Sequence, residues 1–243
     1  MSSSSNHAES ADRSLPDDAP ASAASSSDII ATDPGKDLAS KGRQVKLLVF
    51  DMGHVFVDFE WDTVCQGFCD RAGITREQFA PILKHIASLG YESGRAGTAD
   101  VLREINALVA DLNLTEDEFH ILWNATFREN EDMAALLQSL KKDRPIYLLS
   151  NTNESHYSYL ESTHNVSRHF EELILSYLVG SAKPEEAIYL EVLKRSGLRA
   201  EECLFVDDLA ANIEAAGKLG MNTIRFVGIA DLKERLASFG INC

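Results

Sequence analysis

Residues 46–58 read Lys46-Leu-Leu-Val-Phe-Asp-Met-Gly-His-Val-Phe-Val-Asp58. Leu47 to Phe50 form an unbroken apolar run that ends on Asp51, and Gly53 then interrupts the regular backbone. This is the pattern of a buried parallel strand carrying a carboxylate to its C-terminal edge, the edge at which open α/β sheets hold ligands. A carboxylate left there is costly unless a cation or hydrogen-bond donors meet it. The rest of the chain is therefore read for groups that could do so.

Other apolar runs also end in polar residues. Ile146-Tyr147-Leu148-Leu149 leads into Ser150-Asn151-Thr152-Asn153, and Cys203-Leu204-Phe205-Val206 leads into Asp207-Asp208, with Asn212 one helical turn beyond. Between them, Gly180-Ser181-Ala182-Lys183-Pro184 sets a lysine just before a proline able to open a helix. A carboxylate, a hydroxyl, a lysine and paired carboxylates suit phosphoryl transfer, which needs a positioned nucleophile and cationic groups on the phosphoryl oxygens.

Asp51-Met-Gly-His-Val, Ser150, Lys183-Pro184 and Asp207-Asp208 with Asn212 resemble, in order and spacing, the four motifs of the haloacid dehalogenase-like (HAD) hydrolases. The resemblance covers the chain from about Val45 to its end. The details Asp-x-Gly-x-Val-x-Val-Asp, Leu-Ser-Asn-Thr-Asn and Val-Asp-Asp-x-x-x-Asn resemble the YihX-type branch of small-capped α-D-glucose-1-phosphate phosphatases. The resemblance implies that Asp51 is a nucleophile forming an aspartyl-phosphate, with Lys183 against both its carboxylate and the phosphoryl group. Ser150 and the N–H of Asn151 or Thr152 would hold a phosphoryl oxygen. Mg²⁺ would sit on Asp51, Asp208 and the Gly53 carbonyl, with Asp207 ranked behind Asp208 and acting through water, and Asn212 orienting a ligand carboxylate.

One position departs from that pattern. HAD phosphatases usually carry a second aspartate two residues after the nucleophile, as general acid and base, and here that position is Gly53. Loss of such a group typically costs ~10²–10⁴-fold, so leaving groups needing little protonation, such as an anomeric hydroxyl or an acyl group, are the easiest substrates. His54 adjoins the gap, and histidine is the side chain most used to carry protons near neutral pH, but neighbouring residues on an extended chain point opposite ways. His156, after the Ser150 strand, could contact substrate or be an ordinary helix histidine.

Trp61 to Arg128 contains helical patterns and no strand-like run. Thr75 opens one helix through Phe79, Ile82, Leu83 and Ile86; Thr98 opens another through Leu102, Ile105 and Leu108; Thr115 opens a third through Phe119, Leu122 and Trp123. Between the first two lies the polar turn Gly90-Tyr-Glu-Ser-Gly-Arg-Ala-Gly97. An all-helical insert here resembles the small C1-type cap of HAD enzymes, which makes Tyr91, Glu92 and Arg95 candidates to meet the substrate. From Asn130 helices and strands alternate, with Leu173 to Leu178 read as one strand. The expected fold is a doubly wound, Rossmann-like α/β core over 44–60 and 129–243, an inserted all-helical cap over 61–128, and a disordered N-terminal tail over 1–43.

The chain has 243 residues and a net charge of −15, which argues against nucleic acid or an anionic membrane as partner. No apolar run reaches membrane-spanning length, and the acidic tail, with Asp17, Asp18, Asp28 and Asp33, is unlike a transit peptide. Cys65, Cys69, Cys203 and Cys243 lack zinc-ligand or Cys-x-x-Cys spacing and read as reduced thiols. The expected protein is cytoplasmic, a monomer or homodimer, and acts on a small phosphorylated metabolite. The rivals are a 2-haloacid dehalogenase, whose chemistry needs no metal, and a catalytically weak binding module.

Overall fold

The computed structural model describes residues 44–242; the tail expected over 1–43 and Cys243 lie outside the described residues. In chain order the elements are β1 (Leu47–Phe50), β2 (Val57–Asp58), α1 (Trp61–Ala72), α2 (Arg76–Leu89), α3 (Thr98–Leu108), α4 (Glu116–Trp123), β3 (Arg128–Glu129) and α5 (Glu131–Leu140). Then come β4 (Ile146–Ser150), α6 (Glu154–His164), β5 (Glu172–Leu175), α7 (Ser176–Val179), α8 (Glu186–Ser196), β6 (Cys203–Asp207), α9 (Ala210–Lys218), β7 (Asn222–Arg225) and α10 (Ile229–Ser238).

Five strands form one parallel sheet in the order β5-β4-β1-β6-β7. Side chains alternate along β1, and each set meets its own helical layer. Leu48 and Phe50 join a cluster with Leu136, Leu137, Leu160, Leu232 and Leu236, whereas Leu47 and Val49 join Ile188, Tyr189, Val192 and Ala216 on the other face. This is the doubly wound, Rossmann-like α/β architecture. Because β4 and β6 flank β1 on opposite sides, the strand order reverses at β1, and a crevice opens beyond its C-terminal end.

Register then places the polar tips. Phe50 is level with Val206, so Asp51 and Asp207, each one residue on, emerge side by side. Leu148 pairs with Phe50 on the other side, which brings Ser150 and its successors to the same edge.

Helices α1 to α4 pack around a separate cluster containing Val64, Phe68, Phe79, Ile105, Phe119 and Trp123. Thr75 and Thr115 cap α2 and α4 through reciprocal bonds with Gln78 and Glu118. Cys65 and Cys69 are buried in this cluster, and Cys203, the first residue of β6, is buried too, all as free thiols; burial pushes Cys65 and Cys203 up to about 11. Gly94, with φ of 69°, seats its backbone so closely on the core that a Cβ would overlap the carbonyl oxygen of Tyr177.

Three local expectations need correction. Leu173 to Leu178 is not one strand: β5 ends at Leu175 and the chain turns into α7, where Ser176 Oγ bridges the N–H and carbonyl of Thr152 at 2.9 and 3.0 Å. The helix read from the sequence over Pro184 to Leu193 starts at Glu186 and runs to Ser196. Finally, β2 and β3 form a two-residue antiparallel ribbon, Val57↔Glu129 and Asp58↔Arg128, where no strand was expected.

Candidate active site

The C-terminal edge of the sheet carries one compact charged cluster. Lys183 Nζ lies 2.6 Å from Asp51 Oδ1 and 2.7 Å from Asp207 Oδ2, and all three residues are buried. Asp208 stands beside them, so that carboxylate oxygens of Asp51, Asp207 and Asp208 lie within 4.8 Å of one another.

The two neighbouring acids have different surroundings. Asp207 is saturated: Asn212 Nδ2 donates to both its oxygens at 3.0 Å, the Leu209 N–H donates to Oδ1 at 2.8 Å, and Lys183 donates to Oδ2. Asp208 is only partly buried and lines the adjoining cleft. Burial and the nearby Asp207 charge raise its carboxyl above the ordinary range.

Burial raises Asp51 to about 8 from 3.8, against the pull of Lys183 and with a further push from Asp207 and Asp208. Burial works to lower the Lys183 ammonium, but Asp207 and Asp51 together outweigh it, and the net shift is upward. Two carboxylates thus share one ammonium, with the Asp208 carboxyl beside them. The donor set fits a hard divalent cation, with Asp208 open to the cleft and Asp207 already committed to its neighbours. On Asp51, Oδ1 accepts from both Lys183 and the Met52 N–H, the latter at 2.6 Å, and Oδ2 has no partner among the described residues.

A cleft of about 60 Å³ opens over the cluster, lined among others by Asp51, Gly53, His54, Thr152, Lys183 and Asp208. Asn151 clamps the Lys183 loop to β4: its Oδ1 accepts from the Lys183 N–H at 2.7 Å and its Nδ2 donates to the Lys183 carbonyl at 2.8 Å. Its side-chain amide is therefore occupied. The N–H of Thr152 is occupied too, by Ser176; its hydroxyl is buried without a partner, and the residue lines the cleft. Sequence reasoning considered only that residue's N–H. Ser150 is not among the cleft-lining residues, and its hydroxyl donates to the Asn151 carbonyl at 3.3 Å.

On the cap side, Tyr91 is buried in the helical cluster with its hydroxyl 2.8 Å from Thr98 Oγ1. Tyr91 and Arg95 line a second cavity rather than the cleft, whereas Glu92 and His156 line both. Burial raises the Glu92 carboxyl and pushes His156 down to about 3. The chain is not extended at His54: it turns there with φ of 54°, the ring stacks on Phe59 at 4.3 Å, and the side chain reaches the cleft after all. A Cβ on Gly53 would come 3.1 Å from that same Phe59 ring, which fills the space a larger side chain would use.

The family model for haloacid dehalogenase-like hydrolases matches residues 45–220. The chain belongs to the haloacid dehalogenase-like hydrolases. It is 31% identical over 202 residues to a D-ribitol-5-phosphate phosphatase of Bacteroides thetaiotaomicron, covering 79% of this chain and 97% of that one. It is 24% identical over 220 residues to flavin mononucleotide hydrolase 1 of Arabidopsis thaliana, covering 90% and 87% of the two chains. Among solved structures, a HAD-family enzyme of B. thetaiotaomicron in complex with magnesium and inorganic phosphate superposes with a TM-score of 0.69 at 26% identity, covering 77% of this chain and 98% of that one. The four stretches that resemble the motifs of HAD-like hydrolases meet at a single sheet edge. Among the described residues no helix is long and apolar enough to cross a membrane.

Proposed function

We propose that this HAD-like hydrolase is a Mg²⁺-dependent phosphatase of small phosphomonoesters, working through a phosphoryl group carried on Asp51. The observation behind this reading is the Lys183 ammonium held between Asp51 and Asp207, with Asp208 alongside. Asp51, Asp208 and the Gly53 carbonyl are the groups that would hold Mg²⁺, which when bound offsets the charge of the acids and of the phosphoryl oxygens.

The roles of the side chains follow from their bonds. Lys183 fixes Asp51 Oδ1, leaving Oδ2 to attack phosphorus as the bond to the leaving oxygen breaks. Lys183 holds a phosphoryl oxygen, and Asn151 positions Lys183 rather than binding phosphate through its side chain. Asp207, saturated by Asn212 and Leu209, fixes the ammonium. Water then cleaves the Asp51–phosphoryl bond. Gly53 supplies no proton, so the leaving oxygen takes its proton from solvent, which favours anomeric and acyl phosphates.

The relatives widen the substrate panel. D-ribitol 5-phosphate and flavin mononucleotide, named for two of them, both carry phosphate on the primary carbon of a ribityl chain. The test is phosphate release from ribityl phosphates, sugar 1-phosphates and acetyl phosphate with Mg²⁺, comparing wild type with Asp51→Asn. Release from none of them, or release unchanged by Asp51→Asn, overturns the proposal. Turnover of a 2-haloacid without metal would instead favour a dehalogenase, but a lysine shared by buried acids is suited to an anionic phosphoryl group.

A further inference from the structure

The cleft holds the means to form an aspartyl-phosphate more plainly than the means to break it. When water displaces Asp51 from phosphorus it must lose a proton, and Gly53 stands where HAD phosphatases usually carry the aspartate that accepts it. A positioned base for such a step typically contributes ~10²–10⁴-fold. The titratable residues lining the cleft are Asp51, His54, Glu92, His156, Lys183 and Asp208.

Most of these are committed or unsuited. Asp51 carries the phosphoryl group, Asp208 faces the cation, and the Lys183 ammonium is bound between Asp51 and Asp207. His156, held down to about 3 by burial, is too weak a base, and the His54 ring is stacked on Phe59. Glu92 is different. It is only half-buried, and its carboxylate has no hydrogen bond or ion pair among the described residues, so a water can reach it. Burial raises its carboxyl, which makes it a stronger base than an ordinary glutamate, and it is close enough to Lys183 for the ammonium to oppose that shift.

The loop that carries Glu92 is tied down on both sides. The preceding Tyr91 is buried in the cap cluster, with its hydroxyl on Thr98. The N–H groups of Ser93 and Arg95 donate to the Gly90 carbonyl at 3.1 and 3.0 Å, and Gly94 rests against the Tyr177 carbonyl of the core. A side chain anchored in this way holds its position without help from the substrate.

We infer that Glu92 is the general base of the second half of the reaction, reaching from the cap loop to the water that attacks the phosphoryl group on Asp51. The water oxygen bonds to phosphorus as the Asp51 Oδ2–phosphorus bond breaks, and the water proton passes to the Glu92 carboxylate and from there to solvent. Inorganic phosphate leaves, and Asp51 returns as a carboxylate. In-line attack brings that water in on the side away from Asp51, and Glu92 enters the cleft from the cap rather than from the strand tips. This inference rests on the phosphatase reading and supplies the base that Gly53 lacks.

The test uses p-nitrophenyl phosphate with Mg²⁺, because its leaving group needs no proton and the second half-reaction is isolated. Glu92→Gln is expected to lower kcat about 100-fold and to leave kcat/KM, which reports the attack by Asp51, within about twofold of wild type. A burst of p-nitrophenolate approaching one equivalent should precede the slow phase, and acid-quenched protein should carry phosphate on Asp51 in peptide mass spectrometry. If Glu92→Gln does not fold, Glu92→Ala decides: formate should restore its turnover, and no response to formate overturns the inference. A fall in kcat of less than tenfold, an equal fall in kcat and kcat/KM with no phosphate trapped, or trapping in His54→Gln but not in Glu92→Gln would also overturn it. Absence of phosphate release from every ester in wild type would instead overturn the phosphatase reading, whereas a working wild type with Glu92→Gln unaffected removes only the role given to Glu92.

Discussion

The tips of β1 and β6 and the cap-facing wall at Trp123 lie next to each other and treat polar groups in opposite ways. At the strand tips Asp207 accepts hydrogen bonds at both oxygens, and Lys183 is shared between two carboxylates. At the wall, Trp123 Nε1 and His156 Nε2 are left without partners. A buried charge without a partner costs far more than a buried neutral N–H without one. The charged edge must therefore be complete in the folded protein, whereas the neutral wall can tolerate unpaired donors.

Mutations should separate these two regimes. The largest effect is expected for Asp51→Asn, which should lower phosphate release by ~10⁴-fold or more if Asp51 is the attacking group; a loss under tenfold would remove it from that role. Lys183→Met leaves Asp51 and Asp207 facing each other without their shared cation, and breaking a buried pair costs ~3–5 kcal/mol, to be read from urea unfolding without metal. Asn212→Ala removes both amide bonds to Asp207 and should cost ~1.5–3 kcal/mol, the range for hydrogen bonds to charged groups. Trp123→Phe removes only an unpaired donor and some ring volume, so its cost should be ~1 kcal/mol; a penalty matching that of Asn212→Ala would erase the contrast.

The smallest effect concerns pH, away from the site. Arg199, with help from Lys46, holds Glu202 down to about 2, against an ordinary 4.5. The folded value lies below the unfolded one, so this contribution is complete above the unfolded value and is lost as pH falls from 4.5 toward 2. Glu202→Gln should flatten that acid limb of the stability curve, measured by urea midpoints at pH 7 and pH 3, and leave turnover unchanged.

The charged half was legible in the sequence because an apolar run ending in a polar residue marks both a strand and its edge: Asp51, Ser150 and Asp207 each end such a run. Capping signals at Thr75 and Thr115 gave the cap helices in the same way. The wall was not legible, because whether Trp123 Nε1–H finds a partner depends on what packs around it and not on residue type. Thr152 illustrates the same limit: its N–H is taken by Ser176, 24 residues away. Tyr91 lies in a polar, glycine-rich turn that reads as solvent-facing, but its ring is inside the cap cluster. The ribbon of β2 and β3 is too short, at two residues each, to show any alternation. His54 was reasoned about on an extended chain, and its left-handed turn voids that reasoning.

Gly94 sets how this loop can diverge. With its backbone against the Tyr177 carbonyl, a side chain of any size at that position would have to push the loop off the core. Ser93 and Arg95 on either side face no such bar, so relatives or engineered variants can exchange the rim chemistry of the second cavity freely while the residue between stays glycine. A saturation library across 90–97 should therefore yield altered substrate preference from positions 93 and 95, and only loss from 94.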